Sequence, residues 1–497
     1  MKTKIKYTLA ILALLVVSCK KDLNTDPTDA VDESEIYKTA DNIETVVTGA
    51  WSYLNDTYFT YANPGYTAIL RTADAMGSDV AVLTTKYGYP NAYRLSELYD
   101  PTAARAEYFW TMLYKVIDNC NNVITRIDAA EGSDEKKAQV KGQAQALRAF
   151  CYLNLASYYQ FSYLKDKSAL LVPVYTEPAT VDTEGKPRST VEDVYTLIVS
   201  DLTDAQALLK DYSRPSGAKD KIDYAVASGL LARTYLNMGE WDKAAAAAHT
   251  ARDGYPFMPV ANYADGFNDM QNVEWIWGHG QTAEQSTASY TFHYLDVSSP
   301  GSYYFSFMAD PYFKNYFDAQ DIRSQLFEWD GLEGREGLLR YKKFKFKSNL
   351  IGDIVYMRSA EMALIEAEAY ARDGQSAKAV EALNALRAAR NATLYTGGSG
   401  DALLQAILLE RRKELWGEGF SLSDILRTQG KVERKAYEDA NGDPIKVTVT
   451  DSEGKTKQVT ARGHSVLNGP DGKPFTVNSK YYLFAIPQTE SQQNSNL

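Results

Sequence analysis

The chain has 497 residues, with 53 Lys and Arg against 64 Asp and Glu, a formal net charge of −11. At 45% apolar and 24% charged residues it has the composition of a globular protein, which excludes disorder and collagen-like repetition. No Lys/Arg run is long enough to track phosphates, which argues against nucleic acid as a partner.

At roughly 150 residues per domain the length suggests about three domains, unless repeats fuse them into one body. Tyrosine is unusually abundant, with 36 Tyr against 17 Phe and 7 Trp. A phenol hydroxyl must be wetted or paired, so the excess predicts many half-exposed rings.

At the N-terminus Lys2, Lys4 and Lys6 precede an apolar run from Tyr7 to Val17. That run is too short to span a bilayer, which needs about 20 residues. It ends in Val16-Val17-Ser18-Cys19, which resembles a bacterial lipobox. On that resemblance residues 1–18 are a signal peptide and Cys19 is acylated, becoming the new N-terminus. Buried acyl chains contribute about 0.8 kcal/mol per CH₂, enough for two or three chains to hold a protein on a membrane. The alternative is a plain signal peptide that contains a Cys. Lys20-Lys21-Asp22 resembles the charged export signal of Bacteroidetes surface lipoproteins. Residues 19–35 are polar and contain Pro27, as expected of a lipidated tether.

The body, residues 36–497, reads as mainly helical. Ser96 to Ile127 repeats apolar residues at Phe109, Met112, Leu113, Val116, Ile117, Val123 and Ile124. Lys137 to Tyr159 is a small-residue helix, and Val191 to Leu209 is amphipathic with Ser189 or Thr190 as N-cap. Cys120 and Cys151 lie in these helical patterns; a disulfide and two buried thiols are both open. Tyr235, Gly239, Lys243 and Ala244 then register with Tyr370, Gly374, Lys378 and Ala379. Each set is a helix, a Gly turn and an Ala-rich helix, the tetratricopeptide (TPR) pattern. The expected fold is therefore mainly α: a TPR-like helical-hairpin scaffold, with hairpins at about 137–160, 191–250 and 354–390. It carries long irregular loops, at about 58–94 and 254–351, and short β-hairpins. Within the irregular C-terminal segment 428–497, Val447–Thr450 and Lys457–Thr460 flank a polar Asp451–Gly454 turn and read as a hairpin.

No reaction is announced. His249, His279, His293 and His464 are the only histidines, and none lies in HExxH or a Cys/His ligand spacing. GxSxG, Walker A and GxGxxG patterns are absent. No catalytic residue, metal or cofactor is expected. Long ordered loops usually carry function, which turns attention to the aromatic ones. Lys86 to Arg94 places Tyr87, Tyr89, Tyr93, Asn91 and Arg94 in nine residues. Gly88 and Pro90 break any helix there, so the rings cannot form a regular buried stripe. They are candidate binding rings, with Asn91 and Arg94 as polar partners; the alternative is that they pack the loop onto the helices. Trp277, Tyr290, Tyr303 and Trp329 are added from the middle segment.

Four stretches together resemble the SusD/RagB family of outer-membrane nutrient-uptake lipoproteins. They are Met357 to Ala369 with Ala382 to Arg390, Ile407 to Arg427, the C-terminal Tyr482 to Asn494, and Gln145 to Phe150 through Val172-Pro173. One departure is Ser421, where the family often has Arg. Arg358 with Glu361 and Glu368 with Arg372 have helix-pair spacing, worth about 0.2–0.5 kcal/mol each if exposed. The resemblance implies a TPR-based cell-surface body that binds an oligomeric nutrient, most often a glycan. It implies delivery to a SusC-like TonB-dependent transporter and anchoring in outer-membrane lipid through Cys19. In the family, the loop corresponding to 86–94 often contributes sugar-stacking aromatics. The rivals are a surface glycoside hydrolase using two carboxylates, which spacing along a chain cannot exclude, and a TPR-type protein scaffold.

Overall fold

Small residues and caps decide how the helices meet. In the computed structural model, which describes residues 33–497 apart from 285, 286 and 348, the helix Asp134–Tyr158 lies between Ala104–Arg126 and Val191–Leu209. Gly142 lets the last of these come close, since a Cβ there would sit 2.8 Å from Leu209 Cγ. Val191–Leu209 starts at a full capping box: the Thr190 hydroxyl accepts from Asp193 N–H, and the Asp193 carboxylate accepts from Thr190 N–H. The expected signal peptide, Cys19 and most of the expected tether lie outside the described residues.

Tyr224–Met238 and Trp241–Arg252 form one hairpin, and Ser359–Arg372 and Ser376–Ala388 another. Ala244, Ala245, Ala248 and Ala251 are buried where Trp241–Arg252 meets both Tyr224–Met238 and Ser359–Arg372. Gly239 and Gly374 both have φ of +78°, the left-handed region where a side chain is strained. Nothing lies within 4 Å of a Cβ built on Gly374, so conformation alone decides its substitution. Gly374→Val should destabilise by about 1–2 kcal/mol; an unchanged melting temperature would show that the turn tolerates a side chain.

The strands are short. β1 (Val80–Val82), β3 (Phe307–Ala309), β5 (Leu339–Tyr341) and β4 (Phe327–Trp329) form an antiparallel sheet in that order. β2 (Trp275–His279) pairs with β6 (Ile354–Arg358), and β7 (Lys446–Thr450) with β8 (Thr456–Thr460), Val447 opposite Val459. Several expectations change. Segment 58–94 is not one loop: it contains the helix Thr67–Ala75 and β1. Residues 354–358 are strand, so the helix begins only at Ser359. The helix expected from Ser96 begins at Ala104, after the chain turns through Leu95 at φ +58° and Pro101. The helix Ala40–Asn55 was not read from the sequence. Cys120 and Cys151 are buried free thiols, and burial pushes Cys120 up to about 12. Among the described residues no helix is long and apolar enough to cross a membrane.

The charges in the family-like stretches are buried rather than exposed, and Arg358 and Glu361 pair differently from their spacing. Arg358 does not bind Glu361; it reaches Glu274, Glu414 and Glu418. Glu361 instead takes Arg233 at 2.7 Å through both oxygens. Glu368 does pair with Arg372 at 2.8 Å, but it also holds Arg427 at 2.7 and 2.8 Å. Burial pushes the Glu368 carboxyl up, yet Arg427 and Arg372 outweigh it and hold it at about 2. Around Glu414 gather Arg323, Arg358 and Arg390, every one of them buried. This network ties β6, the helix Asp401–Leu415 and the 321–323 and 390 segments into one interior.

Candidate functional site

Three segments meet at the site: 56–66, 83–95 and 287–305. The first is a closed loop. Thr57 bridges to Pro64, Tyr58 N–H donates to Asn63 O at 3.0 Å, and Asn63 N–H donates to Thr60 O at 2.9 Å. That closure pushes Phe59 and Tyr61 to the tip, 79% and 55% exposed. Phe59 holds φ at +60°, a strained conformation for an aromatic residue. Gly65, at φ +58°, is required by crowding: a Cβ there would meet Leu54 O at 2.5 Å.

Arg105 staples the first two segments. It donates to Asn63 Oδ1 at 3.0 Å, to Gly88 O at 2.8 Å and to Glu97 at 2.6 Å. Tyr89 adds a second tie, its hydroxyl donating to Ala62 O at 2.8 Å and its ring lying under the Arg105 guanidinium. Tyr89 also packs edge-on against Tyr294 and Phe307, so it joins the third segment as well.

In the third segment Tyr294 stacks on Tyr304 at 4.7 Å. His293 stacks on Tyr303 at 4.2 Å with 9° between planes, and its Nδ1 accepts from Tyr303 N–H at 3.2 Å. Tyr290 stacks face to face on Tyr61 at 4.1 Å and 7°. Burial raises the Tyr304 phenol, and so do the neighbouring phenols of Tyr87, Tyr303 and Tyr61, which lie close enough to act on it. The result is a platform of Phe59, Tyr61, Tyr87, Tyr290, Tyr303 and Tyr304. Phe59, Tyr61, Tyr87 and Tyr303 are exposed and Tyr290 and Tyr304 half-buried, and a cluster of exposed aromatic rings is a candidate binding surface. Among the described residues the Tyr87 and Tyr303 hydroxyls bond no protein group, which leaves them for a ligand.

Burial pushes His293 down to about 4, against which Asp296 acts weakly, so the imidazole is neutral at physiological pH. Only the neutral ring can accept the Tyr303 N–H. The folded value lies below the unfolded one of about 6.5, so this contribution is full above that value and is lost as pH falls towards about 4. Ligand affinity should therefore be level near neutrality and fall as pH drops through about 4. Titrations at stepped pH, beside melting curves, check this; a decline centred near 6.5 would contradict it.

The expected ring set divides. Tyr87, Tyr290 and Tyr303 stand on the platform, where Phe59, Tyr61 and Tyr304 join them. Tyr89, Tyr93 and Trp277 are corrections, because each is 0% exposed and belongs to the core. Tyr93 donates to or accepts from His464 Nδ1 at 2.8 Å and lies beneath Arg434. Trp277 is held between Trp51 and Phe150, and its indole N–H donates to Asp220 O. Asn91 and Arg94 are exposed but bond one another at 3.1 Å, with no tie to the platform rings among the described residues. Trp329 is half-buried on β4, and its ring neighbour is Tyr437, away from the platform set. The missed Phe59 and Tyr61 sit in Tyr58-Phe-Thr-Tyr-Ala-Asn-Pro-Gly65, whose closing Asn-Pro-Gly is a turn signal the aromatic content made worth reading.

Two cavities, about 70 and 210 Å³, are smaller than the usual ligand pocket and are both lined in part by Arg411 and Asp424. Among the described residues no group of three or more His, Cys, Asp or Glu is arranged for a metal ion.

Two family models match the chain: one described as starch-binding, associating with the outer membrane, over residues 26–236, and the SusD family over residues 338–497. A SusD-like carbohydrate-binding protein from Bacteroides vulgatus is 43% identical, with a TM-score of 0.86, covering 93% of this chain and 97% of that one. A putative sugar-binding protein from the same species is 26% identical, with a TM-score of 0.74, over 92% of this chain and 97% of that one. A SusD-like protein of Formosa agariphila is 25% identical over 86% of this chain and 92% of its own length.

Proposed function

The chain belongs to the SusD/RagB family, and from that premise and the six-ring platform we propose that it binds an oligomeric glycan at the cell surface. The platform is the observation that carries this reading. A pyranose ring has an apolar C–H face and polar edges. A flat tyrosine covers the face with little loss of side-chain freedom, and its hydroxyl can bond the edge. Exposed rings supplied by three separate segments offer more than one stacking face, which suits an oligomer better than a monosaccharide. Phe59 and Tyr61 stand at the tip, so a chain lying across them meets Tyr290 and then Tyr303 and Tyr304.

In this reading the protein performs no reaction. It captures glycan and hands it to a SusC-like TonB-dependent transporter, held in the outer membrane by lipid on Cys19 and facing the exterior. The glycan array is the direct test. Soluble protein lacking residues 1–19 should bind a defined class of oligosaccharide, and incubation with that glycan should release no reducing ends. Reducing-end release would favour the hydrolase. Binding to no glycan would favour the protein scaffold. Separately, Cys19→Ala should abolish lipid labelling and move the protein out of the membrane fraction; wild-type labelling and fractionation would sink the anchor.

A further inference from the structure

An open cleft of about 550 Å³ lies apart from the platform, lined by residues that the platform does not use. Its charge runs against that of the chain: Arg412, Lys431, Arg434 and Lys435 line it, against Asp310 and Glu433. Two of the four cations are already engaged. Arg412 binds Asp79 at 2.6 and 3.0 Å, and Arg434 donates to the carbonyls of Gly77, Tyr93 and Ala75. Lys431 and Lys435 are exposed and have no carboxylate partner among the described residues. The Lys435 ammonium is nonetheless held, 3.7 Å from the Tyr312 ring centroid. Tyr316, 38% exposed, also lines the cleft, with the Arg412 guanidinium 5.4 Å from its ring centroid.

Asp310 is the second, independent sign of a ligand. It is only 8% exposed, it lines the cleft, and its Oδ1 has no hydrogen-bond partner. His464 Nε2 approaches that oxygen only to 3.9 Å and is itself bonded to Ser78 O at 2.9 Å. Burying a carboxylate oxygen without a hydrogen bond is costly, and a ligand hydroxyl would satisfy it. Burial first, then the neighbouring Asp79, raises Asp310 to about 7, so near neutrality it can donate as well as accept.

We propose that this cleft binds an acidic sugar unit, one carrying a carboxylate or a sulfate, with Lys431 and Lys435 pairing the anion, Tyr316 beside the sugar face and Asp310 bonding a hydroxyl. The proposal rests on the protein being a glycan binder, but on residues separate from the platform. Exposed ammonium groups that no carboxylate pairs directly, in a lining with four cations against two carboxylates, favour an anion over a neutral sugar, and their exposure makes the attraction salt-dependent.

Calorimetric titration of the mature chain with tetragalacturonate, and separately with a sulfated tetrasaccharide, tests it and tells the two anions apart. At least one probe should bind, more weakly as salt rises. The double variant Lys431→Ala/Lys435→Ala should lose at least about tenfold in affinity with an unchanged melting temperature. The same lysine variant should bind a neutral glycan from the array as the wild type does, since the platform rings are untouched. The proposal is overturned if neither probe binds, if the lysine variant binds the acidic probe normally, or if it loses the neutral glycan to the same extent. In each of those cases a neutral glycan from the array still binds the wild type if the platform reading holds, so the two failures are distinguishable.

Discussion

Replacing Glu414 by Ala should destabilise the protein by about 3–5 kcal/mol, the usual consequence of removing one partner from a buried ion pair. Glu414 accepts from Arg323 at 2.8 Å, from Arg358 at 2.6 Å and from Arg390 at 2.9 Å, and all three guanidiniums are buried. Burial alone would push its carboxyl up. Arg390, Arg358 and Arg323 outweigh burial and hold it well below the usual range. A carboxyl lowered in this way stabilises the fold above its unfolded value of about 4.3, and the contribution is lost as pH falls towards the folded value. At neutral pH the whole loss should therefore appear in the variant. Denaturant unfolding of Glu414→Ala beside Glu414→Gln measures it, and the amide should lose less because it keeps hydrogen-bond acceptance and volume. A midpoint unchanged in both variants would mean that the arginines repair themselves with Glu274, Glu410 and Glu418.

The second large effect falls on the ligand. Tyr61→Ala and Tyr303→Ala should each weaken glycan binding at least about tenfold, or about 1.4 kcal/mol. Together they should approach about a hundredfold if the rings act independently. Both are more than half exposed, so the melting temperature should not move. Tyr89→Ala provides the contrast. Its ring is 0% exposed and ties all three segments, so it should lower the melting temperature as a core truncation does. Normal binding by Tyr61→Ala/Tyr303→Ala would place the site elsewhere.

The helical frame was legible because its signals are local. Val191–Leu209 carries its own capping residues, Thr190 and Asp193, and the turns at Gly239 and Gly374 repeat one pattern at one backbone conformation. The hairpin Lys446–Thr460 has alternation and a polar turn within fifteen residues. The site was only half legible, because exposure of a tyrosine is decided by distant chain. Tyr87 and Tyr89 share a loop and a residue type. Tyr89 is buried because Tyr294, Phe307 and Arg105 arrive to cover it. Many tyrosines are half-buried, as the composition predicts, Tyr53, Tyr114, Tyr235 and Tyr312 among them, but Tyr66, Tyr152 and Tyr89 bury their rings and pair their hydroxyls with Asn154, Tyr175 O and Ala62 O. Arg358 shows the limit of spacing rules. Its i,i+3 relation to Glu361 assumes a helix, but Arg358 ends strand β6 with φ of −149°, so its side chain leaves in another direction.

The most direct test of glycan capture by the platform is a crystal structure of the mature chain with the oligosaccharide that binds best on the array. Sugar rings should lie within about 4 Å of the faces of Tyr61, Tyr303 or their platform neighbours, with hydroxyls bonded to the Tyr87 or Tyr303 oxygens. An ordered oligosaccharide bound elsewhere, with all six platform rings bare, would contradict it.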